Sequence, residues 1–294
     1  MMPMKAELVV DARAAIGEGP VWHAGEQRLW WVDIAEKGAL HVHDPLGESD
    51  RVYSLGLTPT AIVPRRAGGM VLTTADGFAD FDPATGRILP IVDVEPNNPN
   101  TRMNDGKCDS HGRFWAGTLS KNHQPGDASL YCLDVNRTVH QMCSGVTTSN
   151  GLGWSPDNTI MYHIDTFVKT VSAFDFDAER GVIANGRTII SFADQPGKPD
   201  GMTVDVEGML WIAHWNGGRV NHWNPGNGKK LREILLPAPR TSSCAFGGLN
   251  LDHLYVTTAR FGLTDEQLRE YPHSGGLFVV DPGVGGLPAN LFGG

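Results

Sequence analysis

One short pattern returns six times along this chain: a turn rich in Gly, Asp or Asn, then a strand of apolar and aromatic residues ending on or beside a polar one. It reads Leu29-Trp30-Trp31-Val32-Asp33, Met70-Val71-Leu72-Thr73-Thr74 and Phe114-Trp115-Ala116-Gly117-Thr118. It continues as Met161-Tyr162-His163-Ile164-Asp165, Leu210-Trp211-Ile212-Ala213-His214 and Leu254-Tyr255-Val256-Thr257-Thr258. The copies follow one another at steps of roughly 41 to 49 residues, the period of a propeller blade. Six such units nearly consume the 294 residues. Most repeats add a second strand and turn, as in Ala79-Asp80-Phe81-Asp82-Pro83-Ala84-Thr85-Gly86-Arg87. Short strands with turns between them suit four-stranded blades around a channel. The expectation is an all-β, six-bladed β-propeller with a central channel, forming one domain over residues 1–294. A two-sheet sandwich accounts for the short strands but not for their spacing. The single helical stretch predicted is a turn or two at Thr264–Glu270.

Composition narrows the partners. The 36 glycines and 19 prolines are spread along the chain and mark no linker. A net charge of -9 with no basic run argues against a nucleic-acid partner, which needs a basic footprint. No apolar run is long enough to span a membrane, and the N-terminus lacks a signal-peptide core. Four cysteines (Cys108, Cys132, Cys143, Cys244) form no CxxC pair. They read as small buried residues in a reducing compartment, and the expected location is cytoplasmic.

Residues at one fixed distance before each core strand lie at one level around the channel. Ten or eleven positions upstream stand Glu18, Asn104, Asn150 and Asp200; the same count reaches about Thr60 and Cys244 in blades 2 and 6. Each of the first four lies next to or within one residue of a glycine, and taken singly such a residue is a common turn signal. Four in register point to oxygen ligands converging on one hard divalent cation. His163 and His214 sit inside core strands, where a structural histidine is the simpler reading. No HExxH or Gly-x-Ser-x-Gly occurs, which disfavours a zincin or a serine esterase. Cys244 has no histidine assignable to activate it and reads as channel packing.

At these residues the chain resembles the SMP-30/gluconolactonase family, which includes regucalcin and bacterial sugar lactonases. The matching stretches are Gly17-Glu18-Gly19-Pro20-Val21-Trp22, Arg102-Met103-Asn104-Asp105-Gly106-Lys107-Cys108-Asp109, Gly112-Arg113-Phe114-Trp115-Ala116-Gly117-Thr118, Ser149-Asn150-Gly151-Leu152-Gly153-Trp154-Ser155, Pro199-Asp200-Gly201-Met202 and Thr241-Ser242-Ser243-Cys244-Ala245-Phe246-Gly247-Gly248. The resemblance implies metal ligation by Glu18, Asn150 and Asp200, with Asn104 beside them and Arg102 on the substrate. It implies hydrolysis of a small-molecule sugar lactone with one divalent cation (Ca, Mn, Zn or Mg). The cation would polarise the carbonyl and Asp200 would serve as general base. Lys121 departs from the acidic residue of vertebrate members: it is either a solvated lysine or a substrate-binding cation for a lactone bearing an anionic group. An arylesterase or phosphotriesterase on the same metal site, or a non-catalytic calcium-binding propeller, are the alternatives. The oligomeric state is not legible.

Overall fold

The computed structural model describes Met4, residues 6–35 and residues 37–294. The chain forms a six-bladed β-propeller, each blade a four-stranded antiparallel sheet. The innermost strands are Gly17–His23, Pro59–Pro64, Thr101–Cys108, Ser149–Trp154, Lys198–Val204 and Thr241–Gly247. The six recurring strands read from the sequence are the second strand of each blade, for instance Arg28–Asp33, Phe114–Ser120 and Leu210–Trp215.

Burial falls from the axis outward. Pro59–Pro64, Ser149–Trp154 and Thr241–Gly247 are buried at every position, whereas the outer strand Ser49–Ser54 is largely exposed. Side chains of an inner strand alternate between the two adjoining blades. Ile62 packs with Trp30, Val32 and Leu72 toward blade 1, while its neighbours Ala61 and Val63 pack with Met103 and Phe114 toward blade 3. The core is therefore a ring of apolar seams between blades, as the two-residue side-chain period of strands requires.

Two segments close the ring. Glu7–Val10 supplies the outermost strand of blade 6, pairing antiparallel with Leu277–Val280 (Glu7 opposite Val279). Residues 286–294 cross the end of the channel where the inner strands finish: Gly286 bridges to Asp205, and Phe292 bridges to Arg65 and is fully buried between blades 2 and 3. The predicted helical turn is a short helix, Asp265–Glu270, capped by Thr264 and Gln267. Among the described residues no helix is long and apolar enough to cross a membrane.

Blades 3 and 5 share a turn motif, Asp-x-x-Gly-x-[Phe/Leu]-Trp. Gly112 and Gly208 take φ of +82° and +78°, the left-handed region that favours glycine. Asp205 accepts from Trp211 Nε1 at 2.9 Å and His222 Nε2 at 2.8 Å, and from the backbone N–H of Glu207 and Met209. Asp109 likewise accepts from Trp115 Nε1 at 2.9 Å and Arg113 Nε at 2.6 Å. Each carboxylate ties its turn to the strand behind it. Asp205→Ala leaves those side-chain donors buried without an acceptor, and should cost about 3 kcal/mol or more. Urea denaturation should show a lower midpoint at unchanged slope; a loss below about 1 kcal/mol would contradict this account of the turn.

Candidate metal centre

All six inner strands break their pairing at one level. In blade 5, Pro199 pairs with His214 and Met202 with Ile212, so Asp200 and Gly201 together oppose one residue. Asn104 and Asp105 form the same bulge in blade 3, and Gly19 and Pro20 follow Glu18 into one in blade 1. In blade 4 the extra residue is Gly151, directly after Asn150. Blades 2 and 6 place Thr60 and Ser242 in the break. Counted in paired positions, Glu18, Thr60, Asn104, Asn150, Asp200 and Ser242 are equivalent. Counting back from the core strand reaches Cys244 in blade 6 because the turn between paired positions Phe246 and Leu254 is two residues longer than that between Val204 and Leu210.

The bulges bring four of the expected residues together in the interior. Glu18, Asn104, Asn150 and Asp200 are all buried. The Asn150 amide nitrogen donates to Asp200 Oδ1 and to Thr166 Oγ1, while the Thr166 hydroxyl donates to the Pro199 carbonyl. Two acceptors thus fix which end of the amide carries nitrogen. The other end, Asn150 Oδ1, is buried with no hydrogen-bond partner among the described residues. The Asn104 amide is engaged at both ends: its nitrogen donates to the Ser149 carbonyl at 2.8 Å and its oxygen accepts from Arg102 Nη1 at 3.2 Å. Arg102 also donates to the Met103 carbonyl at 2.7 Å; burial pushes its guanidinium down to about 10 while Glu18 favours its charge.

Lys121 stands apart from this cluster. It follows the second strand of blade 3, at the same end of the propeller, because Ser120 pairs with Thr101 at the start of the inner strand. Its side chain is exposed and Nζ donates to the Pro99 carbonyl at 2.9 Å. His163 and His214 are buried in their strands, and burial pushes both imidazoles down to about 4. His163 hydrogen-bonds Ser149 Oγ at 2.8 Å, but that hydroxyl is fully buried and braces the strand beside Asn150. Burial raises the Cys244 thiol to about 12, and it donates to the Trp211 carbonyl.

The sequence pattern of the SMP-30/Gluconolactonase/LRE-like region matches residues 16–260 of the chain. This protein belongs to the SMP-30/gluconolactonase family. Regucalcin of Danio rerio is 39% identical over 291 residues, covering 98% of each chain. The Bacillus subtilis (strain 168) protein named "Putative sugar lactone lactonase YvrE" is 37% identical, covering 99% of each. Among solved structures, a calcium-binding regucalcin from Agrobacterium tumefaciens superposes with a TM-score of 0.93 at 26% identity, covering 99% of this chain and 98% of that one.

In this family member the donor set suits a hard divalent cation. Two buried carboxylates and one unpartnered amide oxygen offer oxygen ligands only. Their electrostatics agree. Burial pushes Glu18 well above the usual carboxylate range, and repulsion from Asp200 and Asp105 adds to it. Burial and then Asp105 push Asp200 up as well, against the hydrogen bond from Asn150. Such groups ionise only at a cost that a bound cation offsets.

Two residues that sequence reasoning passed over also belong here. Asp105 is buried beside the carboxylates, and Lys107 Nζ donates to the Met202 carbonyl at 2.7 Å. Their signal was present: Asn104-Asp105-Gly106-Lys107 is a polar run inside a buried strand.

The raised carboxylates set a sign for pH dependence. Between the ordinary carboxylate range and their raised values, the folded protein holds more protons than the unfolded chain. Their contribution to stability without a cation therefore falls as pH rises, opposite in sign to that of the buried His163 and His214. In chelator, the thermal midpoint of wild type relative to Glu18→Gln/Asp200→Asn, in which the histidines act equally, should drop from about pH 5 to about pH 8, and millimolar Mn²⁺ should remove the drop. A flat or rising difference between the two proteins in chelator would count against this electrostatic account.

Proposed function

We propose that this protein is a metal-dependent lactonase that hydrolyses a sugar lactone to its sugar acid. The observation that supports this most is the buried Asn150 Oδ1, left without a partner among the described residues in a cluster whose two carboxylates, Glu18 and Asp200, the fold neutralises only in part. Glu18, Asn150 and Asp200 would hold the cation. A divalent ion bound there supplies Lewis acidity at a carbonyl and acidifies water.

The chain's own groups divide the remaining work. Asp200 is the candidate base: a carboxylate that holds the cation through one oxygen can accept a proton from a neighbouring attacking water through the other. Asn150 orients that carboxylate through its amide nitrogen, and Thr166 orients Asn150. Arg102 keeps Nε and Nη2 without a protein acceptor among the described residues, leaving donors for ring or hydroxyl oxygens of the lactone. Asn104 holds Arg102 and reaches the substrate beside it. Lys121, at the same end and exposed, would attract a substituent bearing a carboxylate, phosphate or sulfonate. An aryl ester or phosphotriester substrate would use the same ligands but needs no hydroxyl-binding Arg102.

A pH-indicator assay over aldonolactones tests the reading. Activity should vanish with chelator and return with Mn²⁺, Zn²⁺ or Ca²⁺, and Asp200→Asn should lower kcat by about a hundredfold or more. Persistent turnover in chelator, or near-normal Asp200→Asn, would defeat it. For Lys121→Ala, kcat/KM should fall about tenfold on an anionic lactone with little change on a neutral one. Equal selectivity before and after the substitution would remove Lys121 from substrate binding.

A further inference from the structure

Five charged side chains meet within the channel: the carboxylates Glu18, Asp105 and Asp200, and the cations Arg102 and Lys107. Arg102 is engaged on the Asn104 side, through Met103 O and Asn104 Oδ1. Lys107 has a different path. It rises from the inner strand of blade 3, yet its Nζ bonds the Met202 carbonyl on the inner strand of blade 5, with blade 4 between them. The ammonium therefore lies across the channel, two residues along the strand from Asp200. Burial works against its charge, and Asp105 sustains it.

Beyond this crossbar, away from the metal ligands, is a cavity of about 260 Å³ lined by Asp105, Lys107, Thr203 and Ser243 and floored by residues 287–290. Every inner-strand residue that lines it lies farther along its strand than the candidate ligands of blades 1, 4 and 5. Three buried carboxylates, one of them lining a largely apolar cavity that also presents the Thr203 and Ser243 hydroxyls, make a setting for two cations, and an ammonium on a four-carbon stem stands where the second would lie.

We infer that Lys107 is a built-in second cation: its ammonium neutralises Asp105 and keeps the channel to one divalent ion, so that Lys107 is a positioning residue for the metal centre. The inference rests on the reading of Glu18, Asn150 and Asp200 as ligands. Shortening Lys107 to serine removes the charge and widens the cavity that Asp105 lines, where a hydrated ion has oxygen partners in Asp105, Thr203 and Ser243. Removing the Asp105 charge as well removes the demand for that ion.

Calorimetric titration of Mn²⁺ into metal-stripped protein tests this by stoichiometry, independently of turnover. The expected counts per chain are one for wild type, two for Lys107→Ser and one for Asp105→Asn/Lys107→Ser. One ion in Lys107→Ser overturns the inference, whereas no ion in wild type overturns the lactonase site itself. Should Lys107→Ser fail to fold, Lys107→Met keeps the stem without the charge and fills the space. Its single site should bind Mn²⁺ about tenfold more tightly because Asp105 is no longer neutralised, while Lys107→Arg should match wild type. Unchanged or weaker binding in Lys107→Met overturns the proposal.

Discussion

An inner strand in a ring of blades is paired along one edge only; its other edge runs beside the axis, and its side chains are taken up alternately by the two neighbouring blades. A strand that stayed regular would give every side chain to those seams and none to the channel. The bulge resolves this conflict. By setting extra residues against the partner strand it breaks the alternation at one level and re-aims polar side chains toward the axis. Because all six strands break at that level, residues some 180 positions apart, Glu18 and Asp200, come to share one buried volume. The site is thus a by-product of a defect repeated around the ring.

Burial then determines what those polar groups can be. A lone amide or hydroxyl is tolerable there: the Thr60 hydroxyl bonds Thr73, and Ser242 donates to the Gly17 carbonyl. Carboxylates are not, unless something positive answers them. The chain answers part of the charge itself, with Arg102 near Glu18 and Lys107 near Asp105. The remaining deficit falls on Glu18 and Asp200, and the Asn150 amide oxygen beside Asp200 has no partner among the described residues. An overall charge of -9 says little about this balance, because most of the described acidic residues are exposed or half-buried.

Much of the fold was legible because the second strand of each blade is packed on both faces and so announces itself as an apolar, aromatic run at blade spacing. The level of the site was legible for blades 1, 3, 4 and 5, where the turn that follows differs by no more than one residue between paired positions. Blade 6 was misjudged by two positions, since its longer turn shifts the count without disturbing the strands. What could not be read were the long-range relations. That Thr166 fixes the Asn150 amide, that Lys107 reaches past blade 4, and that Glu7–Val10 belongs to the last blade all depend on the closed ring.

That last relation has a consequence for how the molecule is made. Glu7 and its partner Val279 lie roughly 270 residues apart, so this strand is synthesised long before the one it pairs with. At about 5–20 residues per second, it waits on the order of tens of seconds with both edges unpaired while five blades form without it. A long, flat apolar strand in that position would be an invitation to pair with another chain. Here it is four residues, opens on a glutamate and is mostly exposed even when docked, which is a modest contribution to the core but a safe one to leave outstanding.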